Sequence, residues 1–206
     1  MISLQQVAPQ DIEAESFRII ERELGLTAFA PVEFAVVRRI IHATGDFSCA
    51  ETLRFHPEAI AAGLTAIRSG RNILVAVGMA AAGVSAHLLP AFGGRVLCRV
   101  AEPETATLAR ANNTTRSDAA MTRATGDNIG IIAIGNAPTA LLKVMDLIER
   151  RLIAPNLVIG VPVGFVNAAE SKELLAAQND PFITALGRKG GTPVAVAAVN
   201  ALLRLA

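Results

Sequence analysis

Apolar residues over the first seventy positions recur near the helical period. Ile12, Ile19, Ile20 and Leu24 share one face, Pro9 and Asp11 mark its start, and Gly25 supplies a left-handed stop. A second helix is predicted from Pro31, a residue suited to the first helical position, through Val36, Val37, Ile40 and Ile41 to Gly45. A third opens at Pro57 and closes at Gly70. From Ile73 the pattern becomes short apolar runs, each ending in a glycine-containing loop and followed by an Ala- or Leu-rich helical stretch. Strands are predicted at 73–77, 95–100, 129–134, 157–160 and 181–186, and helices near 103–111, 116–124, 138–151, 168–177 and 191–205.

The strand runs are continuously apolar rather than alternating, which implies burial on both faces. The expected fold class is therefore α/β: three layers, with a mostly parallel sheet of about five strands, helices on both faces and an N-terminal helical segment. No low-complexity linker interrupts the chain, so residues 1–206 are expected to form a single domain. In doubly wound folds ligands bind outside the carboxyl ends of the strands, where loops and helix N-termini gather.

Composition narrows the partners. Lys and Arg total 19 against 18 Asp and Glu, a net charge of +1, so no global field draws the chain to nucleic acid or an anionic membrane. Aromatics are 4%, all of them Phe, which leaves no stacking platform for single strands. With 52% apolar residues and a mean hydropathy of +0.45, the uncharged stretch from Asn72 needs testing as a membrane span. It fails, because roughly 20 strongly apolar residues are required and this run is rich in Ala and Gly and contains Ser85, His87 and Pro90. Gln5, Gln6 and Asp11 come too early for a secretory leader, and the reading is a cytoplasmic protein. Cys49 and Cys98 lack metal-ligand spacing and the three histidines are scattered, so no metal centre is expected.

Two groups of residues carry candidate chemistry. The first is three strand-to-helix corners: Gly135-Asn136-Ala137-Pro138-Thr139, Gly160-Val161-Pro162-Val163-Gly164-Phe165 and Gly187-Arg188-Lys189-Gly190-Gly191-Thr192. Glycines allow close backbone approach, and free N–H groups at helix starts bind anions, with Arg188, Lys189 and Lys172 as cationic help. Ordinary turn chemistry explains any one of them; three together favour an anionic ligand. None matches a dinucleotide or P-loop fingerprint.

The second group is Arg39 and His42, spaced i, i+3 near the end of the second helix and so on one face. An imidazole exchanges protons near neutral pH, and a guanidinium beside it can orient a carboxylate. The plain alternative is a surface histidine answering the negative end of the helix dipole. His56, ahead of Pro57, reads as a helix starter, and His87 carries little signal. Asp46, Asp118 and Glu170 read as solvated or capping acids. Arg116 opens a predicted helix whose dipole it opposes, which calls for a compensating anion or acid.

Ile41-His42-Ala43-Thr44-Gly45-Asp46-Phe47, Thr115-Arg116-Ser117, Gly135-Asn136-Ala137-Pro138-Thr139-Ala140-Leu141, Gly160-Val161-Pro162-Val163-Gly164-Phe165-Val166, Glu170-Ser171-Lys172 and Gly187-Arg188-Lys189-Gly190-Gly191 occur in that order. Together with Ser16-Phe17-Arg18-Ile19-Ile20 and Ala197-Ala198-Val199-Asn200-Ala201-Leu202, they closely resemble the precorrin-8X methylmutase family over nearly the whole chain. The resemblance implies an isomerase of corrin (vitamin B12) biosynthesis. It would move a methyl group from C-11 to C-12 of precorrin-8X to give hydrogenobyrinate, or convert cobalt-precorrin-8 to cobyrinate.

By the same resemblance, His42 matches the catalytic proton donor and acceptor, and Ser16 and Arg39 match substrate-contacting positions. Thr115, Arg116, Asn136, Thr139, Lys172 and Arg188 of the matching blocks and corners are further candidate substrate contacts. No cofactor is implied. The partners implied are a polycarboxylate tetrapyrrole, a second copy of the chain in a homodimer with sites near its interface, and the next enzyme of the corrin pathway. A non-catalytic corrinoid carrier is the alternative from a different class; a generic α/β enzyme binding a small phosphorylated ligand is a third reading. One position departs from the family pattern: Ala76 stands where an acidic residue is usual.

Overall fold

The computed structural model describes residues 6–206; Gln5, part of the argument against a leader, lies outside them. Among the described residues a six-stranded sheet forms from β1 (Leu53–Phe55), β2 (Asn72–Val75), β3 (Val96–Leu97), β4 (Ile129–Ile134), β5 (Leu157–Gly160) and β6 (Phe182–Ala185). The order across the sheet is β1-β6-β5-β4-β2-β3. Every pairing is parallel except β1 with β6, where Leu53 lies opposite Ala185 and Phe55 opposite Ile183. The chain lays β3 on one side of β2 and then returns to lay β4 on the other. The crevice between the carboxyl ends of β2 and β4 is thus the topological switch point.

The period of two along each strand sorts its side chains into two apolar layers. Ile73, Val75, Ile131, Ala133, Leu157, Ile159 and Ile183 face a layer closed by α1 (Ile12–Leu24), α2 (Pro31–Thr44), α4 (Ala59–Arg68), α5 (Gly78–Gly83) and α10 (Thr192–Leu205). Leu74, Ile132, Ile134, Val158 and Phe182 face the other. That layer is closed by α7 (Arg116–Arg123), α8 (Pro138–Glu149) and α9 (Ala168–Ala176). Two remaining helices complete the order: the short α3 (Cys49–Thr52) before β1, and α6 (Pro103–Ala111), which packs on α7.

The stability of α2 comes from its buried stripe. Val36, Val37, Ile40 and Ile41 are all sealed against the sheet layer and α10, each contributing about 1.5–3 kcal/mol through removal from water. Pro31 starts the helix, the Glu33 carboxylate accepts from the Ala30 amide at 3.0 Å, and Gly45 ends it at φ 65°. Ending there leaves His42 and Ala43 exposed on the last turn.

Several boundaries differ from the sequence reading. β1 lies within the stretch expected to be helical; its three residues are too few to show a period, and it survives as an edge by pairing with β6. The run 95–100 shortens to Val96–Leu97, because from Arg99 the chain turns away and its guanidinium pairs with Asp127 and Glu102. The third helix begins at Ala59 rather than Pro57, with His56 as its starter: the Glu58 amide donates to His56 Nδ1 at 3.2 Å. No helix among the described residues is long and apolar enough to cross a membrane.

Candidate active site

The three glycine corners lock together at the carboxyl edge of the sheet. The Gly191 amide donates to Val161 O at 2.8 Å, the Val163 amide to Gly135 O at 3.3 Å and the Gly164 amide to Arg188 O at 3.2 Å. The fit leaves no room for side chains on two of the glycines. A Cβ on Gly135 would lie 2.5 Å from Gly191 O, and one on Gly190, at φ 152°, would press on Val161 O. Asn136 and Arg188 stand exposed on the rims. Phe165, 84% exposed, presents its ring to the Arg188 guanidinium at 5.5 Å.

Lys172 is fully buried under this assembly, and its Nζ donates to Lys189 O at 2.5 Å. Burial pushes its pKa down to about 8. The sequence reading made Lys172 a cation for the ligand; the structure places it beneath the corner instead, tying the loop backbone. Lys189 itself is exposed, and its Nζ donates to Asp46 Oδ2 and Ser48 Oγ, both at 2.8 Å. Asp46 also accepts from the Ser48 amide at 2.9 Å. The bonds from Lys189 and Ser48 hold its carboxyl down at about 2. Asp46 is therefore a tethering acid that also accepts from the turn after α2, a role beyond the solvated or capping one expected from its sequence context.

That tether brings the end of α2 to the corners. Arg39, His42 and Ala43 line a cavity of about 240 Å³ with Pro193, Val196 and Asn200 of α10, whose first residues follow Gly191 directly. α1 covers the other side of the pair. The Phe17 ring meets the His42 imidazole edge-on at 5.4 Å, and the Arg39 guanidinium donates to Glu13 Oε1 at 3.1 Å. The hydrogen bond from Arg39 is the main cause that holds Glu13 below the ordinary carboxylate range. Ser16 sits between Glu13 and Phe17 in the helix, its hydroxyl donating to Ile12 O at 2.8 Å.

The remaining candidates gather on the opposite face of the sheet. Thr115 caps α7 by accepting from the Asp118 amide at 3.1 Å, and its hydroxyl meets that of Thr139 on α8 at 2.9 Å. Arg116 is exposed beside them. Asp118, pushed up by burial, lies 3.9 Å from Lys143 and supplies an acid near this helix start. Arg39 with His42, and Thr115 with Thr139, thus flank the interlocked corners from two sides. A larger cleft of about 850 Å³ opens at the amino end of the sheet, around Met145, Ile153 and Pro155, and is lined by none of the candidate residues.

Sequence reasoning missed Glu13 and Lys189's partner. An acid in the first turn of a helix reads as dipole compensation, and a pair joining positions 46 and 189 leaves no local trace. Ala76 is buried in the apolar layer beside α7 and α8. No cluster of His, Cys, Asp and Glu suited to a metal occurs among the described residues.

Arg39 and His42 can offer a guanidinium and an imidazole to one anionic ligand at the cavity they share. Comparison with known proteins gives the arrangement its class. The family model described as Precorrin-8X methylmutase matches residues 11–205. The cobalt-precorrin-8 methylmutase of Priestia megaterium is 45% identical over 201 residues, covering 97% of this chain and 89% of that protein. The precorrin-8X methylmutase of Pseudomonas aeruginosa is 40% identical over 196 residues, covering 94% of each. The crystal structure of precorrin-8X methylmutase from Thermus thermophilus superposes with a TM-score of 0.87 at 46% identity, covering 95% of both chains.

The class is an isomerase of corrin biosynthesis, an intramolecular methyl transferase. The chain belongs to the precorrin-8X methylmutase family.

Proposed function

We propose that this protein moves the methyl group of precorrin-8X, or of its cobalt-bearing equivalent, from C-11 to C-12 of the ring, with His42 as the general acid and base. The observation that carries the reading is the pairing of His42 with Arg39 on the last turns of α2, beside corners interlocked by hydrogen bonds. A macrocycle edged by acetates and propionates needs polar groups and cations spread over a wide surface; the N–H groups of Val163, Gly164 and Gly191 are taken up by the corners' own hydrogen bonds, and the exposed side chains of Arg188, Arg116 and Asn136 are the groups offered.

His42 donates a proton or hydrogen bond to the tetrapyrrole near the migrating centre, which makes the conjugated system receptive to a 1,5-sigmatropic shift. The proton returns when the extended conjugation of the product is established. Such acid help contributes about 10²- to 10⁴-fold; holding the flexible ring in its reactive shape supplies more. Arg39, Ser16, Arg116 and Arg188 hold and orient the carboxylate arms, with Thr115, Asn136 and Thr139 as polar contacts on the far side. Lys172 keeps its place through the loop it ties.

The cavity at His42, about 240 Å³, is below the roughly 300–1,000 Å³ usual for ligand sites. It takes one edge of the macrocycle, and the rest lies over the exposed Val163, Phe165 and Val166. A second copy of the chain closes the site over those apolar side chains, so the active form is a homodimer of single-domain subunits in the cytoplasm. The product, retained there, passes to the next enzyme of the corrin pathway. A crystal soaked with hydrogenobyrinate tests the reading: density for the macrocycle is expected against His42 and Arg39. Density at the amino-end cleft, with the α2 face bare, would contradict it.

A further inference from the structure

α1 is joined to α2 by two ion pairs that face different surroundings. Arg38 pairs with Glu21, and its guanidinium lies 4.2 Å over the Phe17 ring, which the Arg39 guanidinium also meets at 5.2 Å, so the two differ in the cavity and not in this ring. Arg39 pairs with Glu13 at 3.1 Å, is 15% exposed, and lines the cavity with His42. The cation placed to hold a ligand carboxylate is therefore already occupied by a carboxylate of its own chain. Glu13 remains 46% exposed, so it can leave the guanidinium for water without losing a packed position. Its end of the helix is lightly anchored: Ile20, two turns on, is the buried residue of α1, and Ile12 is 52% exposed. Pairs of this part-exposed kind are weak, so one carboxylate can replace another at the guanidinium at little cost.

We propose that Glu13 is a resident counter-ion for Arg39: it holds the guanidinium beside His42 in the empty site, yields to a ligand carboxylate, and by competing for the same cation limits how tightly the polyacid is retained. The inference rests on the reading of Arg39 as a carboxylate clamp and deepens it. Glu13 acts through Arg39 and is a positioning residue. A ligand with many carboxylates that met only unpaired cations would leave slowly; an internal competitor returns the site to its empty state.

Glu13→Gln tests this, with Glu21→Gln as the matched control, since both remove one charge and one tie between α1 and α2. Each full-length protein is titrated with hydrogenobyrinate and followed by its visible absorption. Glu13→Gln is expected to lower Kd about three- to fivefold, with Glu21→Gln within about twofold of the parent. No tightening in Glu13→Gln, or equal tightening in both, overturns the proposal, because loosening of α1 would then explain everything.

A second readout needs no corrinoid. Phenylglyoxal labels accessible guanidinium groups, and peptide mass spectrometry reports Arg39 separately from Arg38. Glu13→Gln is expected to speed labelling of Arg39 severalfold and leave Arg38 unchanged, with Glu21→Gln giving the reverse. Equal labelling of Arg39 in the parent and Glu13→Gln overturns the counter-ion assignment. Failure of the parent protein to bind hydrogenobyrinate would instead sink the functional reading and the release role, leaving labelling to decide whether Glu13 neutralises Arg39.

Discussion

Lys189 Nζ lies 2.8 Å from Asp46 Oδ2, an ion pair that joins positions 143 residues apart and fastens the last glycine corner to the loop after α2. Through it, the helix that carries Arg39 and His42 is held in register with the sheet edge. Lys172 holds the same loop from below. The two lysines therefore fix one corner from outside and inside, and the candidate proton donor depends on both for its setting.

The Asp46 tether is expected to fail in acid. Its carboxyl is held at about 2 against an ordinary 3.8, so the folded state binds the proton less readily than the unfolded chain. The stability it contributes is complete above 3.8 and is lost as pH falls toward 2. Circular dichroism melts of Asp46→Asn and the parent should differ at neutral pH and converge across that window. A constant difference down to the lowest pH would show that the tether is not ionic.

Lys172 should produce a slope of the same sign at the alkaline end, where stability again rises with pH. Burial holds its pKa at about 8 against 10.5, so between those values the unfolded chain binds more protons. Stability from this group therefore rises with pH between 8 and 10.5, as the cost of a buried charge disappears. Melting temperatures measured across this range should show the rise in the parent and its absence in Lys172→Met. The same variant leaves Lys189 O without its donor, so a lower affinity for hydrogenobyrinate is expected at pH 7.

The interlocked corners predict a steep cost for a methyl group. Gly135→Ala and Gly190→Ala each place a Cβ against backbone that cannot swing aside. Each is expected to destabilise the protein by about 1–3 kcal/mol, the range for overpacking a tight site. Urea midpoints should fall in both, whereas Gly78→Ala, in α5 with open space around its Cβ, should hold or raise the midpoint.

The elements legible in the sequence were those with enough residues to show a period. β4 and β5 have the expected limits, and α2 starts at Pro31 and stops at Gly45 as the pattern indicated. β1 was invisible because three residues carry no period and its place is set by β6, far along the chain. The site was legible where chemistry is local, as in the i, i+3 spacing of Arg39 and His42. It was illegible where chemistry is assembled. Whether Lys172 faced a ligand or the protein depended on how α9 seats against the corner, and Glu13 gained a role only when α1 docked on α2.

The central claim is that the α2 imidazole moves the proton for a methyl migration. Mixing purified protein with precorrin-8X and following the visible spectrum tests it most directly, because only turnover forms the orange corrin chromophore. The parent should develop the band, and His42→Ala should slow it by about a hundredfold or more while still binding added hydrogenobyrinate. A His42→Ala protein that forms the chromophore at the parental rate would contradict the account.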